Sequence, residues 1–226
     1  MEGPMRVVSS GAVGQPKTDD LARCPACGQL LDYRSTDPLT GLLDRRSWDE
    51  RATEALQRGG VNSLLIADVD RFKRINDTLG HQAGDTVLQV IAAVIAGAVR
   101  ESDIVGRYGG HGGDEFLVFL PGAERSRGMA VAQRIQAQVR AETIVVRSVH
   151  GPLVPVSQIA VSIGVVTWCC TQEEDDLRSL VRRADAALLA SKRACRDGIG
   201  SAADAVISSG KAASIDSTRG EKRLCR

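Results

Sequence analysis

Residues Ser63 to Val69 form a short, nearly all-apolar run that ends in Asp68-Val69-Asp70. A strand this uniformly apolar belongs at the centre of a sheet with both faces covered, so the rest of the chain must supply helices. It does so in alternation. Asp44 to Arg58 reads as a helix with Trp48, Ala52, Ala55 and Leu56 on one face, stopped by Gly59-Gly60. Arg71 to Leu79 reads as a short helix, and Asp85 to Val99 as a longer one with Asp85 as its cap. Ile104 to Tyr108 and Glu115 to Leu120 read as the two strands of a hairpin. A helix is expected from Glu124 to about Glu142, then a strand from Ile144 to Val149 and another from Ile159 to Thr167. The last helix, Glu174 to Arg196, turns Leu177, Leu180, Val181, Ala184 and Leu188 inward. The expected class is α/β (α+β), a central sheet covered by helices.

The 226 residues suffice for one well-buried domain plus tails. A formal net charge of +1 gives no basic field for non-specific nucleic-acid binding, and 3% aromatics give no base-stacking platform. No apolar run approaches the roughly 20 residues of a membrane helix. No apolar core of a secretory signal is visible, so a cytoplasmic protein is expected, with no membrane and no nucleic-acid partner. Six cysteines in such a chain do not imply a disulfide framework. Residues 1–36 read as a flexible arm, 37–200 as the folded domain, and 201–226, rich in Ala, Ser, Gly and charge, as a tail expected to be disordered.

Chemistry concentrates in two places. Gly112-Gly113-Asp114-Glu115-Phe116 reads as a hairpin turn that fixes two acids beside a backbone able to approach a ligand closely. Asp68-Val69-Asp70-Arg71-Phe72-Lys73-Arg74-Ile75-Asn76-Asp77 runs from the buried strand into a helix start, followed by Gly80-His81 and Gly84-Asp85. Each fragment alone is an ordinary turn or helix stop. Together, and in this order, they resemble the signature of GGDEF-domain diguanylate cyclases, enzymes that join two GTP molecules into cyclic di-GMP. Asp37-Pro38-Leu39-Thr40-Gly41-Leu42 is similar to the family's opening motif, Ser162-Ile163-Gly164 to its late strand and Ala184-Asp185-Ala186-Ala187-Leu188 to its last helix. The likeness spans Asp37 to Arg196.

The resemblance implies a mixed central sheet like a polymerase palm, a homodimer with one GTP per protomer, and dependence on Mg²⁺ or Mn²⁺. It implies metal ligation by Asp68, the carbonyl of Val69, and Asp114, with Glu115 acting on the attacking hydroxyl. Backbone N–H groups from Arg71 through Phe72 to Lys73, with the Lys73 charge, would cradle the β and γ phosphates. Asn76 and Asp85 match the guanine-reading positions; an amide satisfies O6 or N7, and a carboxylate accepts from N1–H and N2–H. Lys192 and Arg196, one turn apart, match the remaining phosphate contacts. Arg100-Glu101-Ser102-Asp103 stands where the family carries its Arg-x-x-Asp motif, at which cyclic di-GMP binds as product and inhibitor.

The chain also departs from the family. Three extra residues follow Arg107-Tyr108-Gly109-Gly110, as His111-Gly112-Gly113 precede the acids. With Gly112-Gly113 as the turn, Asp114 and Glu115 keep register with Phe116, Val118 and Leu120, and the metal site survives. A longer, glycine-rich loop would position it less well. Two readings therefore stand side by side: an active cyclase, and a weakened or inactive GGDEF domain that senses cyclic di-GMP or GTP. Asp44, Leu189, Cys195 and Asp197 replace the family's usual Asn, Tyr, Gly and Asn, and the strand expected after Arg196 shows only Ile199 as an apolar residue. Cys24-Pro25-Ala26-Cys27 resembles one knuckle of a zinc ribbon. Half a ligand set allows a Zn²⁺ clasp shared between two chains, a reduced and unmetallated pair, or a redox switch.

Overall fold

The computed structural model describes residues 36–109, 113–149, 151–169, 176–194 and 196–202. In chain order the elements are α1 (Arg45–Gln57), β1 (Val61–Val69), α2 (Phe72–Leu79), α3 (His81–Gly97), β2 (Ile104–Arg107), β3 (Glu115–Pro121), α4 (Arg125–Ala141), β4 (Ile144–Arg147), β5 (Leu153–Val156), β6 (Val161–Cys169), α5 (Leu177–Ala194) and β7 (Ile199–Ala202). Five strands form a mixed sheet in the order β2-β3-β1-β6-β7, antiparallel except for the parallel β6–β7 pair. As the apolar run requires, β1 is central and eight of its nine residues are buried.

Alternation along the strands divides the core in two. Leu65, Ala67, Phe116, Val118, Leu120, Val161, Ile163 and Val165 pack with α3 and α4. Leu64, Ile66, Leu117, Phe119, Val166 and Trp168 face the other way, against Trp48 and Ala52 of α1 and Leu180, Ala184 and Leu188 of α5. A one-residue slip of any of these strands would exchange the two sets, so burial on both sides fixes the register. The three-layer arrangement agrees with the expected α/β class.

Local chemistry sets the helix ends. Asp44 caps α1 by accepting from Ser47 N at 2.8 Å. Asp176 does the same for Ser179 N at 2.7 Å, so α5 begins at Leu177, while the expected start at Glu174 lies outside the described residues. The expected start of α3 at Asp85 is corrected. The helix begins at His81, because Gly80 adopts a φ of 91° that ends α2 and lets a new helix start at once. Asp85 therefore lies one turn inside α3, exposed, and is not its cap.

The strand expected to end at Val149 ends at Arg147 and turns back through β5, which its two exposed and two half-buried residues, Pro155 among them, concealed. The final strand, hardly legible in the sequence, exists as β7. Its Gly200 lies opposite Gly164 of β6, and a Cβ on either glycine would overlap backbone atoms of α5. This pair of bare positions lets α5 lie flat on the sheet, which brings its last turn to the ends of the strands. Among the described residues, no helix is long and apolar enough to cross a membrane.

Candidate active site

The strand register builds a row of side chains across the sheet. Asp68 of β1 lies opposite Glu115 of β3 on one side and Ser162 of β6 on the other. By strand alternation all three share the face covered by α5. The strand ends are closed by hydrogen bonds from Val69 N to the Asp114 carbonyl at 3.2 Å and from Asp70 N to the Ala160 carbonyl at 2.9 Å. From α5, Lys192 reaches over this row and places Nζ 2.7 Å from Asp68 Oδ2. Lys192, expected from the sequence as a phosphate contact, is thus held against an acid of the row.

Asp70 holds the neighbouring turn. It accepts from Ser162 Oγ at 2.9 and 3.0 Å and from Asp197 N at 2.8 Å, and Arg196 Nε lies 3.9 Å from its carboxylate. Asp70 is almost wholly buried, whereas Arg196 is exposed at the rim. Reading the sequence alone missed Asp70 as a post for Arg196. Its only signal was to be the second acid of an Asp-x-Asp step at a buried strand end.

The electrostatics are those of an anion cluster with too little positive charge. Burial pushes the Asp68 carboxyl up; Lys192 opposes the shift, and the negative Asp114 and Asp70 add to it, leaving it above the ordinary value. Glu115 is raised by burial and then by Asp68; Lys192 partly offsets this, and Asp114 and Asp185 reinforce it.

Such a cluster fits a divalent cation. Among the described residues no three His, Cys, Asp or Glu side chains converge as a closed cage. Asp68, Asp114 and the carbonyl of Val69 are the groups that would hold the cation.

Beside the row, the chain leaves β1 through Arg71 in the left-handed conformation, with φ 58°, and enters α2. Phe72 is buried beneath this turn and Lys73 is exposed; Arg74 N donates back to the Arg71 carbonyl at 2.9 Å, while the N–H groups that open α2, at Phe72 and Lys73, have no intrahelical acceptor by their position. Asn76, on the next turn, has a buried Oδ1 without a hydrogen-bond partner, pressed against Gly84 where any Cβ would overlap it. Asp85 follows Gly84 directly. The two expected guanine readers are therefore brought to adjoining turns of α2 and α3.

The hairpin is anchored from behind. Arg107 Nε donates to the Gly113 carbonyl at 2.8 Å, and its Nη1 donates to Asp37 Oδ1 and Oδ2 at 3.1 and 3.2 Å. Burial tends to raise the Asp37 carboxyl, but hydrogen bonds from Thr40 and Arg107 outweigh it and hold the group below its ordinary value. Gly113 precedes Asp114, so this chain of contacts ties the opening turn to the acids. Gly110, His111 and Gly112, together with Cys24, Cys27 and Cys195, lie outside the described residues.

Arg100 and Asp103 sit apart from the row, on a turn closed by Arg100 N donating to Asp103 Oδ2 at 2.9 Å. The Asp103 carboxylate also accepts two hydrogen bonds from Arg127, at 2.8 and 3.0 Å, and is fully buried. Arg100 is exposed at a cavity of about 550 Å³ that Arg51, Glu54, Arg58 and Glu101 also line. No sequence signal marked Arg127, because its contact with Asp103 spans 24 residues.

Residues 34–198 match the family described as diguanylate cyclase, GGDEF domain. The chain belongs to this family. Curated relatives of the GGDEF chain include the diguanylate cyclase DgcP of Pseudomonas aeruginosa, 37% identical over 72% of this chain and 23% of its own length. Another is diguanylate cyclase A of Treponema denticola, 36% identical over 73% of this chain and 43% of its own length. The chain thus spans less than half of either. Among solved structures, the GGDEF domain of DgcB from Caulobacter crescentus in complex with c-di-GMP matches with a TM-score of 0.66 and 31% identity. That match covers 74% of this chain and 95% of the DgcB domain. Diguanylate cyclase SiaD of Pseudomonas aeruginosa, in complex with its activator SiaC, matches with the same TM-score at 37% identity, over 75% of this chain and 62% of SiaD.

Proposed function

We propose that this GGDEF domain condenses two GTP molecules into cyclic di-GMP and two pyrophosphates. The observation that carries the reading is the contact of Lys192 with Asp68 over the row formed by Glu115, Asp68 and Ser162. It brings a phosphate-binding cation, a metal-binding carboxylate and an acid of raised proton affinity to one point.

In each half-reaction the 3′-oxygen of one GTP attacks the α-phosphorus of the other. A new O–P bond forms, the bond to the β-phosphate bridging oxygen breaks, pyrophosphate leaves, and the hydroxyl proton passes to Glu115. A proton affinity raised by burial and neighbouring acids suits Glu115 to accept that proton near neutral pH. Mg²⁺ or Mn²⁺, held by Asp68, Asp114 and the Val69 carbonyl, would supply charge neutralisation of the triphosphate. The start of α2 from Arg71 to Lys73 receives the β and γ phosphates, and Lys192 and Arg196 add charge from the opposite side. Asn76 and Asp85 select guanine. One site holds one GTP, so the reaction requires two protomers facing each other, and we assign the active form to a homodimer.

Arg100 is assigned to binding the product as inhibitor. The observations on Asp103 refine its role: with its carboxylate engaged by Arg127 and by the Arg100 N–H, it serves as the anchor of the turn that presents Arg100. The test of the whole reading is incubation of nucleotide-stripped protein with GTP and Mg²⁺, followed by chromatography, beside Asp114→Ala. The parent is expected to form cyclic di-GMP, with a loss of at least about 10²-fold in the variant. Equal product from both would remove Asp114 from the mechanism.

A further inference from the structure

We infer that Arg140 is a positioning residue for nucleotide binding: it clamps Asp197 and so fixes the direction in which Arg196 leaves its turn. The inference rests on the reading of Arg196 as a phosphate contact.

The turn after α5 is an unusual one. Arg196 and Asp197 both adopt left-handed backbone conformations, with φ of 36° and 49°. Two successive residues with side chains rarely hold that conformation unless their surroundings impose it. Here the surroundings do. The N–H of Asp197 donates to Asp70 Oδ2 at 2.8 Å. Its carboxylate accepts from Arg140 Nε at 2.7 Å, and its carbonyl accepts from Arg140 Nη2 at 3.0 Å. The next residue, Gly198, gives its carbonyl to Ile163 N at 3.0 Å and leads into β7. Every polar backbone group of Asp197 is thus held, two of the three grips on the residue coming from a single guanidinium.

Arg140 belongs to the last turn of α4, which packs on the opposite face of the sheet from α5. One turn earlier, Gln136 donates to the Val161 carbonyl at the start of β6. The end of α4 therefore grips both the strand that carries Ser162 and the turn that carries Arg196. An ion pair this exposed ordinarily adds little to stability, and its value here is conformational. A planar fork that binds a side-chain oxygen and a carbonyl oxygen of one residue dictates that residue's backbone angles. The arrangement also accounts for Asp197 where the family usually has Asn. Asn and Asp both tolerate the left-handed region, and Asp at this position adds a carboxylate for the guanidinium to grip.

The test measures the affinity of α,β-methylene-GTP with Mg²⁺ by calorimetry, with thermal melts to verify folding. The proteins are the parent, Arg140→Ala, Arg140→Lys, Arg196→Ala, the Arg140→Ala/Arg196→Ala pair and the Arg140→Ala/Asp197→Asn pair. Arg140→Ala is expected to weaken binding on the order of fivefold, as for residues coupled through direct contact. Arg140→Lys, which keeps the charge but loses the fork, is expected to lie between. In the Arg196→Ala background Arg140→Ala is expected to have no further effect, and Asp197→Asn is expected to restore most of the affinity lost in Arg140→Ala. Parent-like affinity in Arg140→Ala, or losses that add fully in the double variant, would overturn the inference while leaving Arg196 as a phosphate contact. Parent-like affinity in Arg196→Ala would overturn both.

Discussion

At the scale of single residues, the site is an acid cluster held together by one lysine. Glu115 and Asp68 face each other across β1 and β3, and each is made a weaker acid, Asp68 by burial and then by the charges of Asp114 and Asp70, Glu115 by burial and then by the charge of Asp68. A carboxyl whose folded-state proton affinity is raised weakens the fold as pH rises from the ordinary value, 4.5 for Glu115, through its raised value; above that the deficit is constant. In the presence of chelator, Glu115→Gln is therefore expected to melt with the parent below pH 4.5. It should gain on the parent as pH rises, and keep a constant lead at neutral pH. Added Mg²⁺ should stabilise both proteins, because Asp68, Asp114 and the Val69 carbonyl remain in the variant. A variant less stable than the parent at neutral pH under chelation would contradict the assigned electrostatics. These residues were legible in the sequence because their types and order carry the chemistry. Asp70, Arg107, Arg127 and Arg140 were not, since each acts through partners that only folding brings near. Arg140 meets Asp197 across 57 residues, and Arg107 meets Asp37 across 70.

At the scale of elements, the position of Lys192 depends on how closely α5 approaches the sheet. Gly164 and Gly200 are paired across β6 and β7, and both face α5 backbone. Gly164→Ala is expected to push the helix away at a cost of about 3 kcal/mol, as for overpacking against backbone that cannot yield, and to lower activity further by moving Lys192. The denaturant midpoint and residual turnover measure both, and an unchanged midpoint would refute the packing argument. The central strands and long helices could be read from periodicity because burial on both faces leaves little choice of residue. The elements that escaped, β5 and β7, are four residues each and owe their existence to a hairpin partner and to a helix lying over them. The start of α3 was misplaced because an Asp before an apolar stretch looks like a cap, while the break was made by Gly80 five residues earlier.

At the scale of the whole molecule, one chain of contacts runs from the opening turn to the hairpin that carries Asp114. Asp37 holds Thr40 and Arg107, and Arg107 holds the Gly113 carbonyl next to Asp114. Arg107→Ala is expected to lower stability by about 1–2 kcal/mol, since it removes the counter-ion of a mostly buried carboxylate that keeps only its hydrogen bonds from Thr40. It should also slow turnover on the order of 10-fold or more by releasing Gly113. Loss of stability with unchanged turnover would confine the arginine to the fold. On either side of the turn the strand register is regular, for Tyr108 N donates to the Glu115 carbonyl and Arg107 lies opposite Phe116.

The central claim is that the row of Glu115, Asp68 and Ser162 beneath Lys192 works as a cyclase. It is tested most directly by quantifying cyclic di-GMP and pyrophosphate together, from nucleotide-stripped protein given GTP and Mg²⁺, beside Glu115→Gln. The account predicts two pyrophosphates released for each cyclic di-GMP, with both products lost together in the variant. Absence of both from the parent, in protein that still binds cyclic di-GMP, would contradict the account and make the domain a sensor.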